Sequence, residues 1–187
     1  QRSGAIPIVE IAIHDSDAAA NWMRNAAEQG VPDAQYQLGL MYAAGDGVIK
    51  DADAAFDWLS RAAANGVGDA QYELALKHLS GDAEQRDPEQ AMTWLRTAAN
   101  SGHCEAQRRL GICYRDGTGV VQNFVEAYAW LAAASVSNDD AIEDRNVLAE
   151  TLTPDQIAEG QNRAGDILAA PHTTSNGAPS QSASSQI

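Results

Sequence analysis

Apolar and small residues follow two superimposed rhythms along this chain. Within a segment they fall at i, i+3, i+4 and i+7, as in Ala55, Trp58, Leu59 and Ala62, which places them on one stripe of a helix. Across segments the pattern returns every 36 residues: Trp22, Trp58, Trp94 and Trp130 are the only tryptophans, and each is that far from the next. Ala34, Ala70 and Ala106 share a phase, as do Gln35, Gln71 and Gln107, then Leu38, Leu74 and Leu110, and the glycines Gly30, Gly66 and Gly102. A fixed period in this range marks a stack of small units, each burying on the next an apolar face that it cannot bury alone.

Each full unit reads as two helices. The first, Ala34 to Ala44, follows the helix-entry pair Pro32-Asp33 and ends at Gly45-Asp46-Gly47. The second runs from Asp51 to Asn65, with Gly66 placed to stop it. Asp15, Asp51, Asp87 and Asn123 recur as helix starts. Asp87-Pro88-Glu89-Gln90 is the strongest of them, because an N-cap Asp, a proline at the first helical position and Gln three residues on satisfy orphan amides. The alanines of the second helices let neighbours approach closely, and the tryptophans are expected to fill the volume between units. Truncating such a ring costs about 3–5 kcal/mol, with Trp94 expected to matter most because its unit has neighbours on both sides.

The residues Ala34-x3-Leu38-Gly39-x2-Tyr42-x2-Gly45-x-Gly47-Val48-x2-Asp51-x3-Ala55-x2-Trp58-x3-Ala62-Ala63-x2-Gly66 resemble the Sel-one-like repeat (SLR) family, relatives of tetratricopeptide repeats. The pattern recurs through Leu110-Gly111, Tyr114, Gly117-Thr118-Gly119-Val120, Asn123, Ala127 and Trp130 to Ala134. The middle unit departs from it, with His78 for the tyrosine, Ala75 for the first glycine and Ala83-Glu84 for the Gly-Val of the turn. The resemblance implies an all-α fold, a right-handed α/α solenoid of 36-residue helix-turn-helix units. Residues 15–137 form the array, one half unit plus three full units. Residues 138–170 read as a capping helix pair restarted at Thr153-Pro154-Asp155-Gln156, and 171–187 as a disordered tail. Residues 1–14 are expected as an extended arm over the first unit, since Val9, Ile11 and Ile13 alternate with Glu10 and Ala12. The segment Ala5 to Ile13 is also a candidate for self-association.

Composition narrows the function. The 44% hydrophobic fraction suits a continuous core, and the formal net charge of −14 argues against nucleic acid, whose affinity comes from Lys and Arg releasing counterions. Residues 139–166 carry eight acids against Arg145 and Arg163, a solvated face before it is a docking site. No apolar stretch is long enough for membrane insertion. The chain opens at Gln1, as a processed product or a fragment would.

Several features imitate chemical motifs. Gly45-Asp46-Gly47-Val48-Ile49-Lys50 suggests a phosphate loop, yet its glycines are in phase with Gly117 and Gly119 between two helices and read as turn residues. Cys104 and Cys113 are nine residues apart on one predicted helix. That is a rise of about 13 Å, too far for a disulfide, and they do not occupy the phased positions at which some SLR proteins pair cysteines. His103 beside Cys104 lacks zinc-type spacing, so no metal is expected. His14, His78 and His172 are scattered, and no triad or paired-carboxylate arrangement can be placed, so neither a catalytic residue nor a cofactor is assigned.

A candidate binding surface follows from the helical wheel. At about 100° per residue, Ala34 and Tyr42 lie beside Leu38, while Tyr36 and Leu40 lie opposite, on the side that lines the concave groove of tetratricopeptide-like arrays. By phase the groove set is Tyr36 and Leu40, then Tyr72, Leu76 and Leu79, then Arg108, Ile112 and Arg115. Arg108 and Arg115 lie about 10 Å apart along one face. Either they hold a carboxylate of a peptide whose apolar residues rest on Tyr72 and Leu76, or they are solvated or paired with Asp69 and Glu105 while Tyr36 and Tyr72 pack between units. The resemblance implies a non-enzymatic scaffold or adaptor for a protein or peptide partner. Its alternative is a cell-wall or β-lactam-binding protein, since some SLR proteins are associated with those ligands. Exported bacterial proteins are common in the family and no N-x-S/T sequon is present, which favours a bacterial periplasmic or secreted location over the cytoplasm.

Overall fold

Hydrogen-bonded turns punctuate the chain at the spacing of its glycines and capping residues, and between them the computed structural model, which describes residues 8–80 and 86–170, contains only helices. These are α1 (Ile8–Glu28), α2 (Pro32–Ala44), α3 (Ala52–Ala64), α4 (Gly68–Ser80), α5 (Pro88–Asn100), α6 (Cys104–Asp116), α7 (Phe124–Ala134), α8 (Asp139–Ala149) and α9 (Pro154–Ala169). Helices α2/α3, α4/α5 and α6/α7 pair as antiparallel hairpins, each hairpin leans on the next, and α8 and α9 both pack on α7. The result is an all-α solenoid closed at one end by a helix pair.

Local chemistry sets these boundaries. Asp51 caps α3 by accepting from the amides of Asp53 and Ala54, each at 3.0 Å, and Asp87 and Asn123 do the same for α5 and α7. Gly66 adopts φ +88° directly after α3, a left-handed conformation costly for a residue with a Cβ. At α9, Thr153 Oγ1 accepts from the Gln156 amide and Gln156 Oε1 accepts from the Thr153 amide, a complete capping box.

Packing inside a hairpin depends on close approach. A Cβ on Gly39 would sit 2.9 Å from Leu59 Cγ, and one on Gly111 would sit 2.8 Å from Leu131 Cγ and 3.0 Å from the Ala127 carbonyl. In the middle hairpin that phase is held by Ala75, fully buried against the cluster containing Met92 and Leu95. Between hairpins the phased glutamines act as clasps. The side-chain amides of Gln35, Gln71 and Gln107, all buried, donate to the carbonyls of Ala27, Ala63 and Ala99 at the end of the preceding helix.

Three of the four indoles bridge units. Trp58 packs on Ala27, Ala34 and Leu38, and Trp94 on Leu59, Ala63 and Leu74. Trp130 enters the cluster of Leu95, Ala99 and Leu110 and is the most buried of the four at 8% exposure, a place expected for Trp94. Trp22 corrects the expectation outright: it is 74% exposed, because the described residues place no earlier hairpin beneath it.

The extended arm is also corrected. Helix α1 begins at Ile8, so residues 8–14 are helical. The alternation of Val9, Ile11 and Ile13 was compatible with a strand, but Val9, Ala12 and Ile13 equally fit i, i+3, i+4, and the alanine-rich run behind them continues that period. Residues 5–7 of the arm, the Ala83-Glu84 turn and the tail at 171–187 lie outside the described residues.

Candidate functional site

The first helices α2, α4 and α6 carry the residues expected to line a groove. Leu40, Leu76 and Ile112 occupy one phase and are all half-buried, and Tyr36, Tyr72 and Leu79 are half-buried beside them. Part of each side chain serves the stack: Tyr36 packs against the Leu59–Leu74 cluster, Tyr72 and Leu79 against the Leu95–Leu110 cluster, and Ile112 against the Leu131–Leu148 cluster. Burial, followed by Asp69 and Glu73, raises the Tyr36 phenol above its usual range; burial, followed by Glu105, does so for Tyr72.

Tyr72 has a further partner. Its ring stacks on His103 with centroids 5.1 Å apart, and His103 Nε2 lies 2.9 Å from Asp69 Oδ1. His103 Nδ1 accepts from the Ala106 amide and caps α6, so that nitrogen is unprotonated and Nε2 donates to the carboxylate. The histidine beside Cys104 is thus an inter-repeat cap with both ring nitrogens engaged. Both cysteines are free, with Cys113 buried and its thiol pushed up by that burial.

The two groove arginines are paired, but not with the acids expected. Arg108 Nε donates to Asp144 Oδ2 at 2.7 Å and Nη1 lies 3.7 Å from Asp140. Arg115 holds Asp116 at 2.8 Å and reaches Asp144 at 3.9 Å; the hydrogen bond to Asp116 raises the Arg115 guanidinium further. Asp69 belongs instead to His103, and Glu105 accepts from Asn138. Asp144 therefore comes from the acidic cap segment and links both arginines across to α8.

A second arrangement went unread in the sequence. One cleft of about 530 Å³ lies between α1, the end of α2 and the start of α3; another of about 500 Å³ lies between α5, the end of α6 and the start of α7. They are the same site 72 residues apart: Arg24 matches Arg96, Tyr42 matches Tyr114, Ile49 matches Val121, and Asp51 matches Asn123. In each, the arginine donates to the phenol oxygen, at 3.3 Å from Arg24 to Tyr42 and 3.2 Å from Arg96 to Tyr114. The hairpin junction between them holds Ser60 and His78 at the same phases, with His78 edge-on to Phe56. The signal was present in the sequence, as arginines at 24 and 96 with serine and alanine at 60 and 132. A search for a 36-residue period averages it away.

No group of three His, Cys, Asp or Glu among the described residues is arranged to hold a metal ion. No described helix is long and apolar enough to cross a membrane.

Sel1 repeats match the chain at residues 12–31, 32–67, 68–103 and 104–135. The chain is 31% identical to a Sel1 repeat protein from Oxalobacter formigenes, with a TM-score of 0.63 over 66% of this chain and 94% of that one. It is 29% identical to c5321, a protective antigen of uropathogenic Escherichia coli strains with an SLR fold, at a TM-score of 0.60 over 81% of this chain. It spans only 41% of that antigen. No curated protein sequence matches it.

Proposed function

Because this chain belongs to the Sel1 repeat family, whose repeats are generally protein-interaction modules in non-catalytic scaffolds, we propose that it is a non-enzymatic adaptor whose first-helix surface receives a peptide or protein partner. The observation that carries this reading is the row of Leu40, Leu76 and Ile112, repeated at one phase of α2, α4 and α6 and left half-exposed with Tyr36, Tyr72 and Leu79 beside it. A helical solenoid that needed these side chains only for its core would bury them as it buries Leu38, Leu74 and Leu110, each at 1% exposure or less. Arg108 and Arg115 bound by Asp144 mark the end of the row nearest the cap. A partner carboxylate there would have to displace Asp144, so affinity is assigned chiefly to the apolar positions.

A photo-crosslinking residue at position 40 or 76 is expected to capture one partner, whereas the same residue at the exposed positions 53 and 57 of α3 captures none. Equal capture from both helices, or none from α2 and α4 with an intact helical spectrum, overturns the reading. Turnover of nitrocefin is expected at background. Hydrolysis above it, abolished by no groove substitution, would favour the cell-wall alternative.

A further inference from the structure

We propose that the two equivalent clefts are a bivalent receptor for one extended peptide carrying two motifs, each an acidic side chain beside a branched aliphatic one. The inference goes beyond the scaffold reading. It rests on that reading only in taking the ligand to be a peptide, and none of the groove residues lines either cleft.

Charge selects the ligand. In a chain of net charge −14, neither Arg24 nor Arg96 makes an ion pair with a carboxylate among the described residues, and the acid lining each cleft is engaged elsewhere, Asp51 as the cap of α3 and Glu126 with Arg163. Each guanidinium is instead oriented by a phenol oxygen, Arg24 also by Asn21 Oδ1 at 3.1 Å, and Arg96 lies over the Tyr114 ring at 5.9 Å. A guanidinium has five N–H donors in a planar fork, so one or two such bonds fix its orientation and leave donors for a carboxylate. The same overall charge repels a polyanion, which limits the ligand to isolated carboxylates.

Shape and polarity supply the second half of the motif. The turn residues Ile49 and Val121, on the rims, are 90% and 89% exposed and offer apolar surface to a branched side chain of a partner. Val48 and Val120 lie beside them on the cleft walls. Both clefts are in the size range of specific binding pockets but are bounded by solvent-exposed turns, which suits a segment of peptide laid across the surface.

Spacing supplies the valence. The site occurs at the junction of the first and second repeats and again at that of the third and fourth, and the junction between them lacks the arginine. Two sites on one array convert a second weak contact into an intramolecular one, so avidity of about 100-fold or more is available without any new type of contact.

The test titrates the isotope-labelled full chain with N-acetyl-Val-Glu-Leu-Val-amide and with its Val-Gln-Leu-Val counterpart, following backbone amide resonances. The Glu peptide is expected to perturb residues 47–50 and 119–122 saturably, and the Gln peptide to bind roughly tenfold more weakly. Arg96→Gln should abolish the response at 119–122 alone, and Arg24→Gln that at 47–50 alone. Two copies joined by Gly-Ser spacers of graded length should bind about 100-fold tighter than one at the best length, and either variant should erase that gain. Equal binding of Glu and Gln peptides, silence at both turns, or a variant that lowers thermal stability while the peptide still binds would overturn the proposal, the last showing that the Arg–Tyr pair only staples helices. Cleft binding without crosslinks from positions 40 and 76, or the reverse, separates this inference from the groove reading.

Discussion

Gln35 and Gln71 make the same clasp to the preceding helix, but their carbonyl oxygens differ. Gln35 Oε1 accepts from Asn65 Nδ2 at 2.8 Å, whereas Gln71 Oε1 is buried without a partner among the described residues. The residue in the phase of Asn65 is Ser101, and the two backbones coincide, with φ, ψ of −85°, 8° and −82°, 1°. Ser101→Asn should therefore place an amide donor on Gln71 and raise stability by about 1 kcal/mol, read as a higher denaturant midpoint at unchanged slope; a lower midpoint would refute the transfer. The recurrence of glutamine was plain in the sequence, but its partners were not, because a carbonyl eight residues earlier becomes a neighbour only when hairpins stack. The cysteines follow the same division between pattern and depth. Helix spacing alone separates Cys104 from Cys113, but only packing shows Cys113 at 3% exposure with its thiol pushed up by burial. Iodoacetamide at pH 8 should label Cys104 first and Cys113 only as the array opens, as peptide mass spectrometry would show; equal rates would contradict that burial.

At the level of helices, the hairpin is where the sequence was most legible, because the second-helix caps Asp51, Asp87 and Asn123 and the i, i+3, i+4 stripe agree at every full unit. Ala75 stands in the middle unit where the neighbouring units have Gly39 and Gly111. The structure makes it a difference in approach, since the Cβ that Ala75 carries would strike Leu131 and the Ala127 carbonyl if it stood at Gly111. Gly111→Ala should accordingly cost about 1–3 kcal/mol by overpacking, despite the better helix propensity of alanine, and a circular-dichroism melt at an unchanged or higher temperature would show that α6 and α7 separate freely. Where local signals conflicted, reading failed. Five alternating residues at the start of α1 fit both periods, and only the length of the following helix resolved them. The clefts were missed for the opposite reason: they obey a period of two units, and the residues that define one arrive from two helices and the turn that follows the second of them.

For the whole molecule, stacking decides what each repeated residue contributes. The four tryptophans are equivalent in sequence, but an indole is buried only where a preceding hairpin and its own first helix close around it. Trp130 has both, and Ile167 of α9 packs on the same cluster, so the cap extends the core past the last repeat. Among the described residues Trp22 has neither on its outer side, and it stands 74% exposed. Sequence periodicity cannot register this, because it assigns the same pattern whether or not a neighbouring hairpin covers the ring. The expected ranking of substitutions changes with it. Trp130→Ala should cost about 3–5 kcal/mol, more than Trp94→Ala, while Trp22→Ala should stay within about 0.5 kcal/mol. Fluorescence distinguishes the positions independently of stability. Trp22→Phe should remove the most red-shifted and most acrylamide-quenchable part of the emission and leave the protected part, whereas Trp130→Phe should remove protected emission. If loss of Trp22 instead removes blue-shifted, protected emission, something covers that ring in solution and the expected ranking of the four substitutions fails.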